Sequence, residues 1–209
     1  MSVPDPSLEN SYAAQTPDES RRLYDQWADS YDAGFVAQQD YRLPGLVADA
    51  FHAAGGQGPV LDVGAGTGLC GARLAELGTG PVDGIDISPD MLARATEKRV
   101  YSGLFEADLT KSLPLPDGHY RGIVSAGTFT LGHVGPGAID ELLRVAGPGA
   151  LLVLSVNARH YQSAGFAAYL AALGRRISAP ALPEVLIYGP AADPAHRDDR
   201  AFLVTFRKV

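Results

Sequence analysis

The chain has 209 residues, of which 46% are hydrophobic and 20% charged; this suits one substantial core and excludes a disordered acidic chain or a collagen-like repeat. Lys and Arg total 17 against 24 Asp and Glu, a net charge of −7. No run of four or more basic residues exists to grip a polyanion, so nucleic acid is disfavoured as a partner.

One cysteine, Cys70, excludes an internal disulfide and a Cys-based zinc site, and the five scattered histidines contain no His-x-x-x-His pair, so no metal is expected. The opening residues are acidic and broken by proline, unlike a signal peptide. No apolar stretch approaches the ~18–20 residues needed to span a bilayer. The expectation is a soluble cytoplasmic protein with no membrane partner.

Residues 1–15 are polar and carry two prolines, which predicts a flexible N-terminal arm. Thr16-Pro17-Asp18-Glu19 is a helix start, and the helix that follows sets Leu23, Trp27 and Tyr31 at four-residue spacing with Tyr24 alongside. A second helix spans about 43–54. Strands are then expected at 59–63, 82–86, 100–105, 120–125 and 150–156, with helices through Leu77, from Ser88 to about Arg99, and over 136–145. This alternation implies a parallel sheet covered on both faces. Two further strands, 182–188 and 202–207, have no helical period between them and must pair antiparallel. The fold class is therefore α/β: a Rossmann-like, mostly parallel seven-stranded sheet with helices on both faces and a C-terminal antiparallel hairpin.

The most informative segment is Asp62-Val63-Gly64-Ala65-Gly66-Thr67-Gly68. A strand enters, three alternate glycines follow and a helix leaves, so a ligand can lie directly on backbone at a helix N-terminus. A dinucleotide fingerprint starting at Gly64 would need glycine where Leu69 stands, and a Walker phosphate loop would need a lysine that is absent. Asp62 would repel a pyrophosphate but suits a ligand carrying an ammonium and a sulfonium. Asp86 ends the next strand, where its two oxygens can accept both hydroxyls of a ribose. Asp108, in Ala107-Asp108-Leu109 after the third strand, can take a hydrogen bond from an adenine amine.

On these residues the chain resembles the class I S-adenosylmethionine-dependent methyltransferases over roughly residues 20–209. Asp62-x-Gly64-x-Gly66-x-Gly68 is similar to the family's first motif and Asp86 to its ribose-binding acid. The stretch 143–150 is similar to its turn before strand five, with Pro148-Gly149-Ala150 in place of Pro-Gly-Gly. Residues 23–32 resemble the "YDxWAxxYD" opening of small-molecule methyltransferases and, together with 125–136, the Williams–Beuren-region methyltransferase-like group.

The resemblance implies S-adenosylmethionine as cofactor, S-adenosylhomocysteine as product, and cofactor contacts at Tyr24, Tyr31, Asp62, Gly64, Ala65, Gly66, Gly68, Asp86, Ile87, Met91, Ala107, Asp108, Leu109 and Ser125. Tyr24 or Tyr31 would close over the methionine end, while Trp27 is expected only to pack its helix. It further implies one domain over 16–209: a helical lid at 16–56, a cofactor-binding core at 57–156 and a substrate region with the terminal hairpin at 157–209.

The loop after the fourth strand should hold the reacting groups, because ligands bind at the carboxyl ends of parallel strands. It lacks Asn/Asp-Pro-Pro-Tyr, an acidic pair and a leading Asp, which argues against nucleobase amines, protein arginine and metal-assisted catechols. A small-molecule acceptor methylated at oxygen is expected, with His133 in this loop as general base. His160 and Tyr161, or Tyr188, are candidates to line the acceptor pocket; otherwise His160 and Tyr161 start a helix capped by Asn157. Cys70 is expected to be buried, and His52, His119 and His196 to lie at the surface. Two other readings remain, an NAD(P)-dependent oxidoreductase of similar fold and a non-catalytic cofactor-binding protein. Monomer and homodimer both stay open.

Overall fold

The computed structural model describes residues 7–13, 16–131 and 134–209. Within the stretch expected to be a loose arm, helix α1 covers Leu8–Ala13. Its Tyr12 ring meets His196 edge-on at 6.1 Å, which gives the segment something to pack against.

Helix α2, Pro17–Trp27, starts as its sequence dictates: the Thr16 side chain accepts from the Glu19 amide and Pro17 occupies the first turn. It stops at Trp27, short of the stripe that reached Tyr31. Residues Tyr31–Val36 are instead wound as a π-helical segment, followed by α3, Ala37–Gln39, which ends at left-handed Asp40. Helix α4 covers Leu43–Ala53.

The sheet is built from β1 Val60–Val63, β2 Val82–Asp86, β3 Gly103–Glu106, β4 Tyr120–Phe129, β5 Ala146–Asn157, β6 Glu184–Leu186 and β7 Arg200–Arg207, in the order β3-β2-β1-β4-β5-β7-β6. Strands β1 to β5 run parallel, and β7 pairs antiparallel with both β5 and β6. Strand β3 starts later than expected, and β6 keeps only three residues of the expected seven. Beyond β6, Tyr188 leaves the ladder to form a single bridge with Tyr41. The remaining helices are α5 Leu69–Glu76, α6 Pro89–Lys98, α7 Ala138–Val145, α8 Ala158–Ser163 and α9 Phe166–Leu173.

Strand alternation divides the core between two faces. Val60, Val124, Leu151, Val153 and Leu203 pack with Val47 and Phe51 of α4 and Leu74 of α5. Their neighbours Leu61, Ile123, Leu152, Leu154 and Val204 pack with Leu142 of α7 and Leu170 of α9. Both faces are thus covered, and the order reverses between β1 and β4, which opens a crevice at the strands' carboxyl ends. Among the described residues no helix is long and apolar enough to cross a membrane.

Candidate active site

The glycine loop joins β1 to α5. Gly64 and Gly66 have φ of +68° and +54°, backbone that side-chain-bearing residues rarely adopt. The Gly66 amide donates to Asp86 Oδ2 at 2.8 Å, while the Ser88 amide donates to Oδ1 at 2.9 Å. Asp86 therefore fixes two loops at once, yet each carboxylate oxygen retains a lone-pair site for a ligand. Burial pushes its carboxyl above the ordinary value, and the Ser88 and Gly66 amides pull it back. Asp108 accepts from the Thr110 amide at 2.9 Å and from the Thr110 hydroxyl at 2.6 Å, with Lys111 Nζ 3.2 Å away. Burial raises its carboxyl, but these partners outweigh burial and hold it below the usual range.

A single cavity runs from these acids across the sheet's switch point to the ends of β4 and β5. It is lined on the β2–β3 side by Gly66, Asp86, Ile87, Met91, Asp108 and Leu109. On the other side it is lined by Gly127, Thr128, Ser155 and Asn157. Over it lies a run of rings from the N-terminal segment. Tyr24 stacks near Trp27 at 6.0 Å, Trp27 meets Tyr31 at 5.3 Å and Phe35 at 5.0 Å, and Phe35 meets Tyr41 at 5.5 Å and Tyr188 at 6.1 Å. The Tyr12 and Tyr188 hydroxyls stand 3.5 Å apart.

Two carboxylates bolt this lid to the cofactor side. Asp25 of α2 accepts from the Ser88 hydroxyl at 2.6 Å. Asp32 accepts from the Thr67 hydroxyl in the glycine loop at 2.6 Å and from Lys98 Nζ at 2.7 Å.

Of the residues expected to contact the cofactor, Tyr24, Tyr31, Gly64, Ala65, Gly66, Asp86, Ile87, Met91, Ala107, Asp108 and Leu109 all border the cavity. Three do not. Asp62 is fully buried beneath the loop rather than facing a methionine end: its Oδ2 accepts from the Tyr101 hydroxyl at 2.7 Å, and its Oδ1 has no hydrogen-bond partner among the described residues. Burial pushes the Asp62 carboxyl up to about 7, against the pull of the Tyr101 hydrogen bond. Gly68 packs against Tyr101 and Ala95 at the start of α5. Ser125 is buried and donates to the Val63 carbonyl at 2.8 Å, stapling β4 to β1.

The Tyr101 ring fills a socket among Gly68, Gly71 and Gly84. A Cβ placed on them would come within 3.0, 2.3 and 3.0 Å of its atoms.

His133 lies outside the described residues. His160 is buried with its Nε2 2.9 Å from the Val134 carbonyl, and Tyr161 stacks on Phe166, so both serve packing while Asn157 caps α8. Tyr188 does border the cavity, as does Cys70. Trp27 packs its helix as expected and also reaches the cavity. His52 and His119 are exposed, but His196 is half-buried beside Asp199.

Sequence reasoning missed Asp25, Asp32, Phe35, Tyr41 and the Tyr101 wedge. The signal for the first two is the repeated Tyr-Asp pair, Tyr24-Asp25 and Tyr31-Asp32, seven residues apart.

The donor set fits S-adenosylmethionine. A Cβ on Gly66 would meet no protein atom within 4 Å, which leaves the loop open to close approach by a ligand. Asp86 offers paired oxygens, and Ile87, Met91 and Leu109 supply an apolar slot next to Asp108.

A family model described as a methyltransferase domain matches residues 60–149. Methyltransferase-like protein 27 of Homo sapiens is 36% identical over 148 residues, covering 68% of this chain and 60% of the human protein. The chain thus spans less than two thirds of that relative's length. Among solved structures, the cyclase SpnF superposes with a TM-score of 0.70 at 20% identity, covering 93% of this chain and 97% of that one. An S-adenosylmethionine-dependent methyltransferase of Methanococcus maripaludis gives a TM-score of 0.60 at 16% identity, covering 91% and 93%. Both of these likenesses concern the fold. Residues 60–149 hold the glycine loop, Asp86 and Asp108 together, so family match and cavity coincide: this segment is a methyltransferase domain, and the fold around it is that of the class I methyltransferases.

Proposed function

We propose that the chain methylates a small-molecule acceptor at oxygen by in-line displacement. The observation that carries this reading is the continuity of the cavity, whose lining runs from Asp86 and Asp108 on the β2–β3 side to the ends of β4 and β5 beside the aromatic rings. When bound, S-adenosylmethionine supplies an activated methyl: the O–CH3 bond forms as the S–CH3 bond breaks, the electron pair stays on sulfur, and the hydroxyl proton passes to a base.

Gly66 admits the ligand to the backbone, Asp86 takes the ribose hydroxyls and Asp108 the adenine amine. The lid, latched through Asp25 and Asp32, excludes water and aligns the acceptor, an effect that can supply ~7–11 kcal/mol of barrier reduction. His133 is the residue assigned to the base role. The lid elements are short, which favours a metabolite over a protein substrate. The same reading takes residues 16–209 as one domain acting in the cytoplasm, as monomer or homodimer.

Isothermal titration with S-adenosylmethionine, S-adenosylhomocysteine and NADH tests it. Micromolar binding of the two sulfur nucleotides without NADH is expected, whereas binding of NADH alone would restore the oxidoreductase. Binding without turnover on any acceptor would mark a non-catalytic binder. His133→Ala should lower turnover with S-adenosylhomocysteine affinity nearly intact; loss of that affinity instead would make the histidine structural.

A further inference from the structure

The end of the cavity at β4 and β5 has a distinctive chemistry. Among the described residues lining the cavity there is no Lys, Arg, His or Glu, and its two carboxylates, Asp86 and Asp108, sit on the β2–β3 side. On the acceptor side the polar groups are neutral and largely engaged with the protein itself. The Thr128 hydroxyl donates to the Val63 carbonyl at 3.0 Å, Ser155 Oγ accepts from the Gly127 amide at 2.9 Å, and Asn157 caps α8. The rest of the wall is apolar or aromatic: the rings of Tyr12, Tyr31, Phe35, Tyr41 and Tyr188 stand among Leu43, Pro44, Ala126, Val134 and Ile187.

Tyr41 reaches the end of β4, since a Cβ on Gly127 would lie 2.4 Å from its hydroxyl oxygen. Burial pushes the Tyr12, Tyr41 and Tyr188 hydroxyls above their ordinary range, so they remain neutral donors and acceptors.

Resting on the methyltransferase reading above, we propose that the acceptor is an uncharged phenol-class ring compound, held between the aromatic lid and the ends of β4 and β5, with Tyr41 and Tyr188 as the hydroxyls that orient it. Three considerations lead there. An anionic acceptor would lose its hydration against ring faces of negative potential, where no described lining residue is a cation that could replace it. A cationic acceptor would be pressed against the positively charged donor in a place poor in solvent. A flat ring, by contrast, matches walls whose own rings meet tilted or edge-on at 5.0–6.1 Å, the spacing at which aromatic groups pack well.

The test uses the full chain saturated with S-adenosylhomocysteine and three matched phenols: methyl 3-(4-hydroxyphenyl)propanoate, its free carboxylate, and tyramine. Titration should show the neutral ester binding at least tenfold more tightly than either charged compound. Tyr188→Phe and Tyr41→Phe should each weaken the ester at least threefold while S-adenosylhomocysteine affinity stays within twofold. Equal or tighter binding of a charged compound, binding of none of the three, or indifference to both substitutions overturns the proposal. Failure of S-adenosylhomocysteine itself to bind overturns the underlying reading, so the two failures are told apart in one experiment.

Discussion

The Tyr101 hydroxyl donates at 2.7 Å to Oδ2 of Asp62, a fully buried residue beneath the glycine loop. A carboxylate without a cationic partner is costly in such a place, and this hydrogen bond, with the Gly71 amide, offsets part of the cost. Tyr101→Phe keeps the ring in its socket and removes only the donor. It should destabilise the protein by about 1–3 kcal/mol, read as a lower urea midpoint with unchanged slope. An unchanged midpoint would mean that the hydroxyl contributes nothing to holding Asp62.

The same acid predicts a pH dependence. Burial, with Asp86 adding to it, pushes the Asp62 carboxyl up to about 7, although Tyr101 and the Gly71 amide pull it down; in the unfolded chain it titrates near the ordinary 3.8. Between about pH 4 and 7 the folded state holds a proton that the unfolded state releases, so stability should fall as pH rises through that window. Asp62→Asn, uncharged throughout, should remove a decline on the order of 2–4 kcal/mol, measured as urea midpoints across the pH series. Identical profiles for the two proteins would refute the assignment to Asp62.

Asp86 has two jobs, loop anchor and ligand acceptor. Asp86→Ala should weaken S-adenosylhomocysteine binding by about 1.5–3 kcal/mol in titration calorimetry. Unchanged affinity would remove the ribose contact from the site.

The lid is latched by Asp32, which spans Thr67 and Lys98. Asp32→Ala severs both contacts. Limited proteolysis within residues 28–42 should then quicken severalfold, and added S-adenosylhomocysteine should restore less protection than in the parent protein. A cleavage rate equal to the parent's would show that the aromatic contacts alone keep the lid in place.

Much of this architecture was legible in the sequence because it depends on local rules. The alternation of apolar strands with capped helices forces a parallel, doubly covered sheet, and the absence of a crossover helix after residue 182 forces the antiparallel finish. Gly64, Gly66, Asp86 and Asp108 were readable because strand ends and tight turns fix where they lie. Asp62 was not, because strand alternation alone does not say whether a polar residue next to a loop points into the crevice or into the core. Here Tyr101, 39 residues away, claims it. Ser125 turned inward for a similar reason, its hydroxyl finding the Val63 carbonyl of the neighbouring strand. Strand β6 is shorter than expected, and beyond it Tyr188 pairs with Tyr41 in the lid, a long-range contact that no local pattern encodes.

The socket of Gly68, Gly71 and Gly84 around Tyr101 makes four distant positions behave as one volume. Gly71→Ala alone would drive a methyl group into the ring, whereas Gly71→Ala paired with a smaller residue at 101 would free that space but strand Asp62. Mutational tolerance at these sites is therefore joint: the loop that receives the cofactor can be altered only together with a tyrosine that never borders the cavity.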